Sequence, residues 1–191
     1  MLDEILGILF KTAYWLLVPA ALLRFYMQWV RVPFRNPVGA FICAVTDWLV
    51  LPLRRLLKGR FSLDWGSLAA AGILELGLAA LFDIATGRLT LFKSGVMAAL
   101  WLQNGAFGLA TTILTLMLWL TVAGAVLSWV RVESLISDAL DAITAPWLKP
   151  IRRRLPMVGG FDLSPLALIV MLQIMLLLVS RAQGLALVAW R

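Results

Sequence analysis

Two charged side chains, Arg24 and Glu75, stand inside long apolar stretches of this sequence. A charge within an apolar run is costly to bury, so each is a candidate site for a proton, an ion or a polar partner. Glu75 lies between Leu74 and Leu76 in the run from Ser67 to Ile84. Its carboxylate could hold a cation or a proton. The plainer expectation is an interhelical hydrogen bond, worth about 0.6 kcal/mol in comparable spans. Arg24 lies near the end of its run, where its long stem is expected to carry the guanidinium to the polar boundary. Asp64 and Asp162 each precede an apolar run and are expected to cap the helix that follows, and Ser164-Pro165 fits such a start. The clusters Arg54-Arg55 and Arg152-Arg153-Arg154 suit anionic lipid headgroups, at about 1 kcal/mol per basic residue near the surface, or a cytoplasmic partner.

The chain has no histidine and one cysteine, Cys43. The commonest general base, zinc ligand and haem ligand are therefore missing together. No nucleophile–base pair, metal cluster or phosphate-binding glycine loop is legible, so neither an enzyme nor a cofactor is expected. A net charge of +7 is a level also met in nucleic-acid-binding chains. The basic residues instead flank the apolar runs, the pattern of cytoplasmic loops, so no nucleic-acid partner is expected.

What must position these residues is a membrane. The composition is 62% hydrophobic and 14% charged, with a mean hydropathy of +0.95, against about 45–50% apolar and about 25% charged in ordinary globular chains. Apolar runs approach the roughly twenty residues that a helix needs to cross the hydrocarbon. Four spans are read at about 5–30, 67–84, 107–130 and 166–180. Two amphipathic stretches, 38–57 and 134–155, contain prolines and end in charge, so interfacial helices are expected there. Residues 89–101 are apolar apart from Lys93 and Ser94. They are read as an interfacial or re-entrant piece, or as a helical extension of the third span. The N-terminus is acidic and Lys11 interrupts its first run, so the first segment is expected to stay as a span rather than be cleaved.

An internal repeat organises the chain. Trp29-Val30-Arg31-Val32 recurs as Trp129-Val130-Arg131-Val132, an offset of 100 (129 − 29). Thr46, Pro52, Arg54, Arg55, Asp64 and Leu68 recur as Thr144, Pro150, Arg152, Arg153, Asp162 and Leu166, an offset of 98 (144 − 46). The fold expected is all-α, with two tandem units of span, interfacial amphipathic helix and span, occupying 1–86 and 106–191 about a connecting segment at 87–105. Glu75 pairs in this register with Gln173, which suggests that the two face each other or share a polar seam. Arg24 pairs with Gly124 and has no polar counterpart. Both basic stretches should be cytoplasmic, which puts both termini outside the cytoplasm.

Arg24-x-x-Met27-Gln28-Trp29, Asn36-Pro37, the Thr-x5-Pro-Leu/Ile-Arg-Arg pattern in both halves and the closing Arg152 to Pro165 stretch resemble the YggT family (YlmG in some bacteria, with plastid relatives). The resemblance covers nearly the whole chain. Its departures are Trp48 where the second half has Pro146, and Ser134-Leu135 where the first half has Asn36-Pro37. The resemblance implies a bacterial inner-membrane protein without an established reaction. Its family has been linked to osmotic or ion tolerance, cell division and nucleoid organisation, and in plastids to assembly of a membrane cytochrome complex. The expectation is a non-enzymatic organiser of other membrane proteins, with anionic lipids, other membrane proteins and a second copy of the chain as its candidate partners. The alternative is part of an ion or osmolyte transport system, with Glu75, Gln173 and Arg24 lining a polar path.

Overall fold

The computed structural model describes residues 2–57, 64–86, 95–130, 134–155 and 162–188. Six α-helices make up the described residues: α1 (Leu2–Val30), α2 (Pro37–Leu56), α3 (Trp65–Ala85), α4 (Gly95–Val130), α5 (Leu135–Arg152) and α6 (Ser164–Val188). Five of them, all but α5, are long and apolar enough to cross a membrane. That is one more than the four spans expected, because α2 qualifies by length and composition. Residues 95–101 are the opening turns of α4, a helical extension of the third span, while 87–94 lie outside the described residues. At 36 residues α4 is about 54 Å long against about 30 Å of hydrocarbon, so it tilts or projects beyond the core.

The two halves pack alike. α1 lies chiefly against α3 and α4 chiefly against α6, while α2 rests on α1 and α3 and α5 rests on α4 and α6. Contacts of α4 with α1 and α3, and of α5 with α1 and α2, join the halves. Each amphipathic helix buries one stripe, such as Ile42, Thr46 and Val50 of α2 or Leu140, Thr144 and Leu148 of α5, at the i, i+4 spacing that shares a helical face. The junction is built on Tyr26, whose hydroxyl donates to Ile143 O at 2.8 Å and accepts a short bond from Trp147 Nε1. Leu23, Met27, Val32 and Ile42 close around it. Outward, α6 leaves Val170, Met171, Ile174, Leu177 and Leu178 exposed, a surface that only a lipid or a partner helix would cover without cost.

The recurring Trp-Val-Arg-Val is a helix stop in its first copy. Arg31 N donates to Gln28 O at 3.2 Å and Val32 N donates to Met27 O at 2.9 Å, the two reversed bonds of a Schellman ending. Arg31 takes the left-handed conformation at φ 62°, which glycine usually occupies. Val32 and Met27 are both buried, supplying the apolar contact that accompanies such an ending. The corresponding Arg131 and Val132 lie outside the described residues.

Starts are capped by equivalent devices in different residues. Asn36 Oδ1 accepts from Gly39 N at 2.7 Å, and Ser134 Oγ accepts from Ser137 N at 3.1 Å. The departure of Ser134-Leu135 from Asn36-Pro37 is thus a change of cap, not of geometry. Gly39 has a further role: a Cβ there would lie 2.6 Å from Phe34 O, so the turn after α1 folds directly onto the first turn of α2.

Candidate functional site

Among the described residues, polar clusters of three kinds interrupt the apolar packing: a paired Arg–Asp clamp, Arg24 and Glu75. At the end of α2, Arg54 Nε donates to Asp64 Oδ1 at 2.9 Å, and Arg54 Nη2 donates to Asp64 Oδ2 and, at 3.1 Å, to Gln28 Oε1. Asp64 is also the N-cap of α3, accepting from Ser67 N at 3.3 Å and from the Ser67 hydroxyl. Gly66 lets the arginine lie across this helix start, since a Cβ there would meet Arg54 Cγ at 2.7 Å. One guanidinium therefore ties α2, α3 and the last turns of α1 together. In the second half Arg152 Nε donates to Asp162, which accepts from Ser164 N at 2.9 Å at the start of α6. Both arginines sit ten residues before their aspartates, so the repeat has preserved a pair, not two unrelated charges. The sequence carried that signal in the common 98-residue offset, yet it reads equally well as lipid-binding arginine plus free-standing cap.

These pairs set a pH limit. Burial pushes the Asp64 carboxyl up, but hydrogen bonds from Arg54 and Ser67 and the arginine's charge outweigh it and hold the group below the usual carboxylate range. Burial likewise pushes Asp162 up, and hydrogen bonds from Ser164 and Arg152 bring it down on balance. A depressed folded pKa stabilises above the unfolded value of about 3.9 and is lost as pH falls through the folded value. Melting in detergent should therefore be flat near neutrality and fall below about pH 4. Asp64→Asn should lower the neutral melting temperature more than Asp162→Asn, because the Asp64 side chain is 2% exposed and that of Asp162 is 22% exposed. Equal losses would mean that burial does not set the strength of the two clamps.

Arg24 forms the second cluster. Its side chain is 4% exposed, and Nη1 donates to Thr46 Oγ1 at 2.7 Å and pairs with Asp47 Oδ1 at 2.7 Å. The stem carries the guanidinium to a protein partner, α2, beside the half-exposed Asp47 side chain. Nε is buried without a hydrogen-bond partner.

Glu75 forms the third. Ten residues lie on either side of it in α3, which places it at mid-helix, roughly 15 Å from each end. It is 7% exposed, Oε2 has no hydrogen-bond partner, and Oε1 lies over Gly108 of α4, 2.0 Å from where a Cβ would stand. Tyr14 of α1 stands beside the carboxyl, its hydroxyl 2.8 Å from Thr112 Oγ1. Gly105, one turn before Gly108, takes Leu76 in the same way, whereas Gly72 and Gly77 have open space around them. The α3–α4 contact is thus a small-residue seam.

The structure separates the other sequence candidates. Gln173 is exposed on α6, and α6 makes no contact with α3, so Glu75 and Gln173 neither face each other nor share a seam, contrary to the repeat register. α3 lies between α1 and α4, while α6 lies against α4 and α5 alone, so one register position meets two surroundings. Arg24 is also apart from Glu75, at the opposite half of α1 from Tyr14. Arg55, Arg153 and Arg154 are exposed; Arg54 and Arg152 are occupied by their aspartates. Asp47, Tyr14 and Thr112 were missed in the sequence, since none stands out there without its partner. Among the described residues no group of three His, Cys, Asp or Glu could hold a metal.

Comparison with known proteins gives one consistent answer. The CCB3/YggT family model matches residues 2–85 and 103–183. The uncharacterized protein YggT of Escherichia coli K12 is 34% identical over 171 residues, covering 88% of this chain and 86% of that protein. A Vibrio alginolyticus protein known only from its place in the proC 3' region is 31% identical over 170 residues, covering 88% and 89%. An uncharacterized Haemophilus influenzae protein is 33% identical over 159 residues, covering 79% and 78%. No solved structure matches.

Proposed function

The chain belongs to the CCB3/YggT family, and on that premise we propose that it is a non-enzymatic, four-span protein of the bacterial inner membrane that organises other membrane proteins through a basic cytoplasmic platform formed by α2 and α5. The observation that carries this reading is the repeated clamp. In each half one arginine of the cluster is fixed to the next helix, by Arg54–Asp64 or Arg152–Asp162, while its neighbours Arg55, Arg153 and Arg154 stay exposed. A helix fixed in this way offers its free charges from a defined position, so docking there orders few side chains.

The clamp also supports four spans over five. Ile42 of α2 packs with Met27 and Val32, and Arg54 of α2 reaches Gln28 and Asp64. Both points of α2 are level with the last turns of α1, although twelve residues (54 − 42), or roughly 18 Å of helix axis, separate them. A crossing helix would leave that level, so these contacts support reading α2 as an interfacial helix. The basic residues gather at this face, which supports placing it in the cytoplasm with both termini outside. Residues 1–86 and 106–191 then act as two copies of one unit about the 87–105 connection.

Arg55→Gln, Arg153→Gln and Arg154→Gln together, with Arg54 and Arg152 retained, should leave insertion and melting unchanged. A photo-crosslinker at Trp48, exposed on α2, should give discrete adducts with other membrane proteins, and the triple variant should lose them about tenfold or more. If the adducts persist undiminished, the platform is not the contact surface. Retention of anionic over zwitterionic lipid in native mass spectrometry, measured alongside, separates loss of a protein partner from loss of a headgroup.

A further inference from the structure

The outer half of the α1–α3 pair, away from Arg54, contains an open cavity of about 200 Å³ lined by Gly7, Phe10, Lys11, Tyr14, Glu75 and Phe82, among others. Its wall is apolar except for Lys11, which is exposed, and Tyr14 and Glu75. The α4 side of the carboxyl offers Gly108 and the Thr112 hydroxyl, which does not titrate in this range, and α2 contributes nothing to the cavity wall. The titratable groups facing Glu75 are therefore Tyr14 and Lys11, both from α1. An ionised carboxylate at mid-span costs several kcal/mol unless it is paired, and Oε2 has no partner. A bare cation bound there would want about six oxygens, and the neighbouring groups supply a carboxyl and two hydroxyls. A neutral carboxylic acid meets both constraints, and the cavity has room for a few waters at about 30 Å³ each.

We propose that Glu75 is a proton-binding site within the membrane, taking up and releasing its proton through the α1–α3 cavity on the face opposite the basic helices. Gly108 is the position that lets the carboxyl sit against α4, and Tyr14 and Thr112 are the hydroxyls beside it. This site is independent of the organising platform.

Dicyclohexylcarbodiimide, which modifies protonated carboxyls in apolar surroundings, tests the assignment on the full chain in liposomes, with the site of modification read by peptide mass spectrometry. Glu75 should be modified at about pH 5 and at least tenfold less by about pH 9. Glu4, which is exposed, provides the comparison within the same chain. Glu75→Gln should abolish the modification. Ala79→Trp, at an exposed cavity-lining position, keeps the carboxyl and should slow its modification several-fold by narrowing the entrance. Glu75 left unmodified at every pH, or modified without pH dependence, would overturn the proposal. Protection by sodium or potassium chloride at constant pH would reassign the site to a metal ion and overturn it equally. An unchanged rate in Ala79→Trp would refute access through this cavity.

Discussion

Replacing Asp47 by alanine is expected to lower the stability of the protein by about 3 kcal/mol, more than removing its partner through Arg24→Met. The order follows from where the two charges sit. The Arg24 side chain is 4% exposed and that of Asp47 is 44% exposed. Without Asp47 the guanidinium stays buried with the Thr46 hydroxyl as its remaining partner at 2.7 Å, and an uncompensated buried charge costs about 3–5 kcal/mol. The lower end applies because water reaches the Asp47 side of the pair. Arg24→Met keeps the length and apolar stem of the side chain, removes the charge, and leaves Asp47 to water, for a loss of about 1 kcal/mol. The double variant should be more stable than Asp47→Ala alone. The chain already contains the comparison. In the second half Gly124 replaces Arg24 and Ala145 replaces Asp47, while Thr144 stays buried and Gly124 approaches its hydroxyl. Both charges are present in one repeat and both absent in the other, as expected of a pair whose halves are costly apart. Denaturation of the four species in one detergent measures the coupling, and strictly additive losses would show that the pair carries no interaction of its own.

Gly39→Ala should cost about 1 kcal/mol net even though it improves helix propensity. Alanine gains about 1 kcal/mol over glycine inside a helix. Its Cβ, however, would lie 2.6 Å from Phe34 O and 2.7 Å from Phe34 Cα. Those are backbone atoms and cannot rotate away. The turn that carries them is held by Asn36 Nδ2 donating to Pro33 O at 2.7 Å and by Val32 buried against Met27 and Ile42. Forcing extra volume into such a contact costs about 1–3 kcal/mol, occasionally more, so the steric term exceeds the propensity gain. The melting temperature should fall and the Arg24–Asp47 contact should loosen with it, because both depend on the seating of α2 on α1. A rise in melting temperature would mean that the turn shifts freely and that α2 is not fixed at its first turn. Gly72→Ala, on α3 with open space about it, is the control. It carries the propensity gain without the clash and should be neutral or slightly stabilising.

The presence of long apolar helices was legible in the sequence because the hydrocarbon core sets a length scale that apolar runs must meet; their extent was not, since α4 begins at Gly95 and α6 runs to Val188. The start at Asp64 was legible because a helix start needs a local acceptor, whereas the equivalent roles of Asn36 and Ser134 emerged only in the structure. The 98-residue offset joined Arg54 to Arg152 and Asp64 to Asp162. What it could not show was that each arginine binds its own aspartate, since ten residues of sequence do not specify a distance when most of them lie between two helices.

Spacing determines which residues share a helical face, and it determined the family and the repeat of this protein. Which face meets protein and which meets lipid was decided by the tertiary structure alone. Glu75 is buried between α1 and α4, and its repeat partner Gln173 faces outward from α6. Arg24 is buried by an aspartate on a helix that hydropathy counts as a further span. The physical reason is common to both. In water an apolar face must turn inward, so hydropathy carries the direction of burial, but in hydrocarbon the neighbouring lipid is as apolar as the neighbouring helix and the pattern loses that sign.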